Sequence, residues 1–271
     1  MKIKIITDAA YEIPNEFIKQ NNIIVLPVEI TFNDTSYLDG VNITKNEFYE
    51  KLIDCKQLPK TSLINSTRWQ EVFEAQSADT TYLVMPMSKE LSGSYNSAKM
   101  GNPSNFILFD LNQITIAQGA IIMETVKLIN NYSNLEQIVN GVNNLINKCV
   151  LLAYVDDLKY LKMGGRLNTT TAFIGGMLNI KPIITIKVDV VTKAMGTSKA
   201  CKTIISLFLK NRDENMPIYF GRAYYEKPLE EFKSVCKACF KLSGNETTLT
   251  IGATVGTHVG PGAVGIVYFK K

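Results

Sequence analysis

Short apolar runs typical of strands alternate with longer amphipathic segments typical of helices along most of this 271-residue chain. Residues 2–7 predict a strand that ends at Asp8, and Pro14 predicts the first turn of the helix that follows. Further strands of the first half are predicted at 23–32, 81–87 and 106–109. Because strands that alternate with helices build a mostly parallel sheet with helices on both faces, this pattern predicts the α/β class.

Capping signals predict where the helices of the first half begin. Thr44 and Glu47 form a capping box, in which the threonine side chain accepts from the N–H of Glu47 and the glutamate reaches back, and it opens a helix that ends at about residue 54. Ser133 and Glu136 have the same spacing and predict a helix that ends at about residue 147. Other helices of this half are predicted at 66–76, after residue 94, and at 115–130.

The second half is patterned differently. Its strands 182–187 and 190–194 are separated only by Val188 and Asp189, which predicts a hairpin and therefore an antiparallel pair. Other strands are predicted at 150–155, 218–222, 247–253 and 264–269, and helices at 171–178, 199–209 and 228–242. The sequence thus predicts two α/β domains, residues 1–147 with a mostly parallel sheet and residues 148–271 with a mixed sheet.

The composition is that of an ordinary folded chain, with 46% hydrophobic and 20% charged residues. No apolar run approaches the roughly 18 residues that cross a membrane, and the N-terminus lacks a small-residue cleavage site after an apolar core. We therefore expect a cytoplasmic protein.

The cysteines give no sign of a disulfide framework or a metal centre. There are five, an odd number without a secretory signal. Cys236 and Cys239 form a CxxC, but it lies in a helical pattern, and the chain's one histidine, His258, is distant in sequence. We interpret the two cysteines as buried helix residues and expect no metal.

Charge is distributed unevenly between the two halves. Residues 1–147 carry 11 Lys+Arg against 16 Asp+Glu, and residues 148–271 carry 18 against 9, so the net charge is −5 and then +9. A basic half can attract nucleic acid, an anionic membrane or an acidic protein. No segment combines dense basic clusters with interleaved aromatics, so we expect no nucleic acid partner, and a solvated lysine-rich face is the simpler interpretation.

Two hydroxyl-rich segments occur where loops are predicted. Thr61 and Ser62 follow a proline and precede a helix, and their hydroxyls can donate to an anionic oxygen, although a cap or turn explains them as well. Ser92 and Gly93 follow a strand and open a helix, where glycine permits close backbone approach. Either segment alone is a weak signal.

Two further segments carry unusual charged or titratable residues. Arg166 directly follows two glycines, and its guanidinium suits a carboxylate or phosphate; a surface arginine after a helix C-cap is the competing account. His258 follows Thr257 among glycines, in a predicted loop after a strand. It can donate to an anionic head group, and its charge is expected to respond near neutral pH.

These residues also allow an enzymatic interpretation. Ser92 and His258, with a carboxylate such as Asp8 or Asp110 in triad geometry, would make a small-molecule hydrolase or transferase. A metalloenzyme is the poorer alternative, because one histidine and scattered carboxylates show no ligand spacing.

Seven short motifs occur in order along nearly the full chain. They are Ile-Ile-Thr-Asp at 5–8, Asp-Gly at 39–40, Thr-Ser at 61–62, Leu-Ser-Gly-Ser-Tyr at 91–95, Gly-Gly-Arg-Leu at 164–167, Asn-Ile-Lys-Pro-Ile at 179–183 and Gly-Thr-His-Val-Gly-Pro-Gly-Ala at 256–263. Each is weak alone, but in this order they are specific. The chain resembles the DegV family, whose members include the fatty-acid-binding subunits of bacterial fatty acid kinase.

The resemblance implies two α/β domains with a long-chain fatty acid held between them. The positions that it assigns to the ligand carboxylate are Thr61, Ser62, Ser92, Gly93, Thr257 and His258. It places Arg166 beside the phosphate and the kinase. It implies no cofactor beyond the bound fatty acid.

The resemblance also implies a carrier rather than an enzyme. Such a protein presents the carboxylate to a separate ATP-dependent fatty acid kinase and carries the acyl phosphate. The basic second half, for its part, predicts transient contact with a membrane surface. Relatives often carry arginines before the helix predicted at 199–209, where this chain has none. We predict that Lys193, Lys199 and Lys202 serve the docking instead.

Overall fold

The computed structural model of the protein describes residues 2–101, 103–167, 180–186, 190–242, 244 and 246–271. Its strands are β1 (Ile3–Asp8), β2 (Ile24–Leu26), β3 (Glu29–Phe32), β4 (Thr35–Leu38), β5 (Lys60–Thr61), β6 (Thr81–Val84), β7 (Phe106–Leu108), β8 (Cys149–Tyr154), β9 (Ile180–Ile184), β10 (Val190–Met195), β11 (Tyr219–Arg222), β12 (Thr247–Thr250) and β13 (Val264–Phe269). Its helices are α1 (Asn15–Gln20), α2 (Lys45–Asp54), α3 (Ser66–Glu74), α4 (Ser94–Met100), α5 (Thr115–Asn131), α6 (Leu135–Lys148), α7 (Lys159–Met163), α8 (Gly196–Asn211), α9 (Lys227–Cys239) and α10 (Ala253–Val259).

The strands form three sheets. A four-stranded sheet in the order β2-β1-β6-β7 is parallel throughout, and β4-β3-β5 form a small antiparallel sheet beside it. The second half builds a six-stranded sheet in the order β10-β9-β8-β13-β11-β12, in which β11 and β12 are parallel and the other pairs are antiparallel. The predicted α/β class, with a mostly parallel first sheet and a mixed second sheet, is confirmed.

Two buried apolar clusters lie on opposite faces of the six-stranded sheet. Along β8, Leu151 and Ala153 face a cluster shared with the first half of the chain, whereas Leu152 and Tyr154 face a cluster beneath α8 and α9. Helix α5, from the first half, packs against β8, β11 and β13. Apolar packing therefore continues from one half into the other, and a domain boundary near residue 147 stays a prediction.

The strand predicted at 23–32 is wrong as a single strand. It breaks at Pro27 into β2, which pairs with β1 in the parallel sheet, and β3, which joins the small antiparallel sheet. Proline has no N–H to donate to a sheet ladder, so the chain leaves the first sheet there. In the new register Ile30 pairs with Thr61, which places that threonine at the end of β5.

Of the two predicted capping boxes, one is confirmed and one is wrong in detail. The N–H of Thr44 donates to Glu47 Oε2 (2.8 Å) and the Thr44 hydroxyl accepts from the N–H of Glu47 (3.3 Å). At the second box the N-cap is Asn134 rather than Ser133, because its side chain accepts from the N–H of Glu136 (2.8 Å). Asparagine caps helices as well as serine does, so the start of α6 shifts by one residue.

Several predictions concern the second half. The antiparallel pairing of β9 with β10 is confirmed. The predicted turn at Val188–Asp189 and the helix predicted at 171–178 lie outside the described residues. On α9, Cys236 is buried as predicted, but Cys239 is exposed, so the interpretation of both as buried is wrong for the second cysteine.

Two short helices were not predicted. They are α7 and α10, and α10 occupies the segment interpreted as the end of a strand and a loop. The segment 253–259 holds two valines and two threonines, which are weak helix formers, so its helical state depends on tertiary contacts. No helix in the described parts of the chain has the length and apolar character needed to cross a bilayer.

Candidate functional site

A cavity lies between the first half of the chain and the six-stranded sheet. Five residues that the motifs singled out line it together: Thr61, Ser62, Ser92, Arg166 and His258. Most of its other walls are aliphatic, and they include Val28, Met87, Ile116, Leu151, Ala153 and Ile184. The space open to the centre of a water-sized group is about 100 Å³, so the cavity is small.

Thr61 and His258 are in direct contact at this cavity. The hydroxyl of Thr61, at the end of β5, lies 3.0 Å from Nε2 of His258, on the last turn of α10. Burial, with a smaller contribution from the charge of Arg166, lowers the pKa of His258 to about 4. The prediction that this histidine changes charge near neutral pH is therefore wrong for the ligand-free protein, because the imidazole is neutral there.

The other edge of the imidazole is covered by the turn after α7. A Cβ atom at Gly164 would overlap Nδ1 of His258, so only glycine allows this approach. Nδ1 is buried and has no hydrogen-bond partner among the described residues. The ring is thus held between a backbone turn on one side and the Thr61 hydroxyl on the other.

Arg166 brings a positive charge to the same region. It follows the C-terminus of α7 and is half-buried at the cavity wall. Its Nη1 donates to the carbonyl of Gly164 (2.6 Å) and its Nε to the carbonyl of Leu91 (3.4 Å). Arg166 thus follows a helix C-cap and also lines the cavity, and its binding of a carboxylate or phosphate stays a prediction.

Ser92 is fixed by the first turn of α4. Its Oγ accepts from the N–H of Ser94 (3.2 Å) and lies 3.1 Å from the Ser94 hydroxyl. Ser94 in turn accepts from the N–H of Ile64 (3.3 Å), which joins this turn to the loop after Thr61 and Ser62. The two hydroxyl segments of the sequence are therefore neighbours in the fold.

Two residues assigned to the carboxylate by resemblance lie elsewhere. The hydroxyl of buried Thr257 donates to the carbonyl of Ala253 (2.9 Å) within α10, and Thr257 is not part of the cavity lining. Gly93 is the N-cap of α4, and it also lies outside the lining. Each is adjacent in sequence to a lining residue, Ser92 or His258, but does not itself line the cavity.

Three polar lining residues, Thr115, Thr185 and Thr254, were not predicted from the sequence. Thr115 lies in the left-handed region (φ 55°), which is rare for a β-branched residue, and its N–H donates to the carbonyl of Ala10 (2.7 Å). Thr254 lies four residues before His258 on α10. That spacing would have placed Thr254 on the same face as His258 had the segment been interpreted as a helix.

Contacts among the described residues do not form a catalytic triad. The Ser92 hydroxyl contacts Ser94, and the hydrogen bond of His258 goes to Thr61. Asp8 is buried and accepts from the N–H groups of Ala10 and Met87 and from Gln118, while Asp110 pairs with Lys89 (2.9 Å). A triad needs the serine to contact the histidine and the histidine to contact a carboxylate.

The fold and the cavity define a class: an α/β protein with a parallel first sheet, a mixed second sheet, an internal, mostly aliphatic cavity and a cluster of hydroxyl, imidazole and guanidinium groups. The chain belongs to the DegV family. The family model, described as an uncharacterised protein of DegV family COG1307, matches residues 2–271.

Relatives and solved structures match the chain over its whole length. A DegV domain-containing protein of Clostridium acetobutylicum is 32% identical, over 100% of this chain and 99% of the relative. DegV of Bacillus subtilis, described as a fatty acid binding protein, superposes with a TM-score of 0.84 at 27% identity, over 100% of both chains. A stearic acid-binding protein of Eubacterium ventriosum superposes with a TM-score of 0.88 at 26% identity, over 100% of this chain and 99% of that one.

Proposed function

We propose that the protein binds a long-chain fatty acid between domains 1–147 and 148–271, with the carboxylate at Thr61, Ser92 and His258. One observation carries this proposal: a cluster of hydrogen-bonding and cationic side chains opens onto a small, mostly aliphatic cavity. A ligand that matches both parts has a small anionic head and a long apolar tail. The fatty acids bound by related proteins of known structure have this chemistry.

The tail supplies most of the affinity in this proposal. About 15 methylenes at about 0.8 kcal/mol each give a gross transfer free energy on the order of 12 kcal/mol. The polar groups fix where the carboxylate lies, because each charge-assisted hydrogen bond contributes about 1.5 to 3 kcal/mol. Thr61 and neutral His258 are the donors, Ser62 and Ser92 add hydroxyls at the rim, and Gly93 and Thr257 hold these groups in place.

Arg166 is proposed to face the phosphoryl group rather than the carboxylate. A separate ATP-dependent fatty acid kinase transfers the phosphoryl group of ATP to the carboxylate, and the protein then carries the acyl phosphate. The guanidinium reaches the cavity wall from a turn and suits an anion with several oxygens. In this proposal the protein binds and presents its ligand and performs no chemistry itself.

Kinase docking is proposed for the face that carries Lys193, Lys199 and Lys202. All three lysines are exposed, on β10 and at the start of α8. Lysine forms weaker fork-type contacts with carboxylates than arginine does, so the complex is expected to be transient and salt-sensitive. The same basic surface also favours brief contact with an anionic membrane.

The first experiment is extraction of the purified protein under denaturing conditions, followed by mass spectrometry. One acyl chain per protein is the expected result, and oleate added to the stripped protein should raise its melting temperature. Thr61→Val should lower oleate affinity about fivefold, because one hydrogen bond of about 1 kcal/mol is lost. The matched control is Thr31→Val, whose hydroxyl contacts Ser36 (3.0 Å) outside the cavity.

A protein that carries no acyl chain and shows no thermal shift with oleate or palmitate would contradict the proposal. The kinase step is tested separately. Arg166→Ala should lower phosphorylation of bound oleate while it spares oleate retention, and Arg166→Lys should restore part of the loss. If the rate of association with the kinase changes neither with salt concentration nor on charge reversal of Lys193, Lys199 and Lys202, the proposed docking face is wrong.

A further inference from the structure

Helix α10, which carries His258, has no cap of its own. Its N-cap is Gly252, which has no side chain, and the first N–H groups of a helix lack partners inside the helix. The N–H of Gly252 donates to Glu12 Oε1 (2.7 Å), and the N–H of Thr254 donates to Asp39 Oδ2 (2.8 Å). Both acceptors come from the first half of the chain, 240 and 215 positions away.

Asp39 makes two contacts with the first turn of α10. The same Oδ2 atom also accepts from the Thr254 hydroxyl (2.6 Å), and the carboxylate is buried, with 8% of the residue exposed. The backbone of Asp39 is fixed because its N–H donates to the carbonyl of Val28 (3.0 Å). Burial raises the pKa of Asp39 and the bonds from Thr254 lower it, so these bonds favour the charged acceptor.

Glu12 and Lys45 hold the turn just before α10. Lys45 Nζ pairs with Glu12 Oε2 (2.7 Å) and also donates to the carbonyl of Thr250. Tyr49 donates from its hydroxyl to the carbonyl of Ile251 (3.1 Å). Residues of the first half therefore fix the backbone that leads from β12 into α10 at every position from 250 to 252.

The orientation of α10 decides where the imidazole lies. Thr254 and His258 are four residues apart, so they share one face of the helix, and both line the cavity. At the beginning of that face Asp39 accepts a hydrogen bond from Thr254, and at its end His258 contacts the Thr61 hydroxyl. The imidazole edge that lies under Gly164 tolerates little rotation, because the approach is already close.

We propose that Asp39 is a positioning residue for His258: by capping α10 from the opposite half of the chain, its carboxylate holds the imidazole against the Thr61 hydroxyl. The proposal deepens the proposed function and rests on it for the role of His258 as a head-group donor. The positioning itself is a property of the ligand-free protein, so it can be tested without a fatty acid.

The test uses the imidazole signal of His258, which is the only histidine in the chain. In ligand-free native protein the NMR titration should give a pKa near the value of about 4 that burial imposes, with Arg166 as the charged group beside the ring. Asp39→Ala should release α10 and move this pKa at least about one unit toward the ordinary value of about 6.5.

Glu124→Ala is the matched control for the titration. Glu124 is also a buried carboxylate, but its partners are the Tyr219 hydroxyl (2.5 Å) and Lys127 (2.7 Å), away from α10. This variant should lose stability and leave the His258 titration within about 0.3 unit of the native one. A pKa shift of His258 that occurs in Asp39→Ala but not in Glu124→Ala therefore reports a change in the position of the imidazole rather than a general loss of stability.

A double-mutant cycle gives an independent readout of the same role. Asp39→Ala should weaken oleate binding about fivefold in the native background but less than about twofold when His258→Ala is already present. Equal losses in both backgrounds would mean that Asp39 does not act through His258, and would overturn the proposal.

The remaining outcomes of these experiments also support or overturn the positioning role of Asp39. If Asp39→Ala does not fold, Asp39→Asn keeps one acceptor for the Thr254 N–H, and a smaller shift of the same sign is expected. An imidazole pKa that stays at the native value in either folded Asp39 variant overturns the proposal. If oleate does not bind the native protein, the proposed function fails, and the titration of the ligand-free protein still decides the positioning role.

Discussion

The two faces of the six-stranded sheet are built from alternate residues of the same strands, yet one face is filled and the other borders a cavity. On β13, Ile266 lies on the filled face and Gly265 on the cavity face. On β8, Tyr154 lies on the filled face and Ala153 on the cavity face. Both faces are apolar. At these positions the smaller residue faces the cavity, so side-chain size rather than hydrophobicity distinguishes the two faces there.

Aromatic rings close the filled face beneath α8 and α9. Phe220 packs edge-on against Phe232 with ring centroids 5.8 Å apart, and Phe208 packs against Tyr268 at 5.1 Å. On the cavity face a Cβ at Gly265 would lie 3.1 Å from Cβ of Ala153, so small residues meet there. Four predictions test this comparison, from the largest expected effect to the smallest.

The first prediction concerns the filled face. Phe232 is fully buried, and Phe232→Ala should lower the free energy of unfolding by about 3 to 5 kcal/mol, because a large ring is removed from a packed cluster. Urea denaturation measures the loss, and oleate retention by the folded fraction should not change. A loss below about 1 kcal/mol would mean that this face is not tightly packed.

The second prediction uses the ionisable group of the cavity face. The pKa of His258 is lowered to about 4 from its ordinary 6.5, so the unfolded chain binds the proton more readily. Stability from this group is therefore fully present above about pH 6.5 and is lost as the pH falls to about 4. Native protein should lose roughly 2 to 3 kcal/mol more than His258→Asn across this range.

Comparison with His258→Asn cancels the contribution of Glu12, a second group that titrates in the same pH range. Burial raises the pKa of Glu12 to about 7, so Glu12 makes stability fall as the pH rises from about 4.5 to 7, in the opposite direction. On the filled face burial raises the pKa of Cys201 and Cys236 to about 12, which keeps both thiols neutral throughout. Identical pH profiles for native protein and His258→Asn would show that the imidazole is not buried.

The third prediction fills the cavity. Ala153→Leu should lower palmitate retention at least tenfold, because the added methyl groups occupy space that the acyl chain needs, while the stability of the lipid-free protein changes by less than about 1 kcal/mol. Ala200→Leu is the matched control, since Ala200 is fully buried on the filled face. Overpacking there should cost about 1 to 3 kcal/mol and leave palmitate retention unchanged.

The fourth and smallest effect is expected at the polar rim. Ser92→Ala removes one donor of about 1 kcal/mol and should lower oleate affinity about fivefold, measured by calorimetry. Ser97→Ala, on helix α4 that begins just after Ser92 but outside the lining, should bind as the native protein does. Equal affinities for the two variants would remove Ser92 from the head-group site.

Local signals in the sequence predicted much of the fold. The strand and helix alternation gave the α/β class, and the Thr44 box gave the start of α2, because both depend on residues close together in the chain. The break at Pro27 and the short strands β4 and β5 were not predicted, since an apolar run hides a change of sheet and strands of four and two residues carry little periodicity.

The site was predicted only in part. Motifs identified Thr61, Ser92 and His258, and the fold brings them to one cavity. The Thr61–His258 hydrogen bond spans 197 positions, and no local pattern encodes it. Asp39 appeared only as part of a short motif, because its contact with Thr254 exists only after the two halves meet.

The capping acceptors of α10 come from the first half of the chain, and this has a consequence for the order of folding. A seven-residue helix is not stable by itself in water, because its few hydrogen bonds do not offset the unfavourable free energy of nucleation. Its amide acceptors, Glu12 and Asp39, contact it only when chain segments more than 200 positions apart have come together, which closes long loops. We therefore expect the histidine to reach Thr61 in a late step, and a chain that ends before α10 to lack the head-group site proposed here.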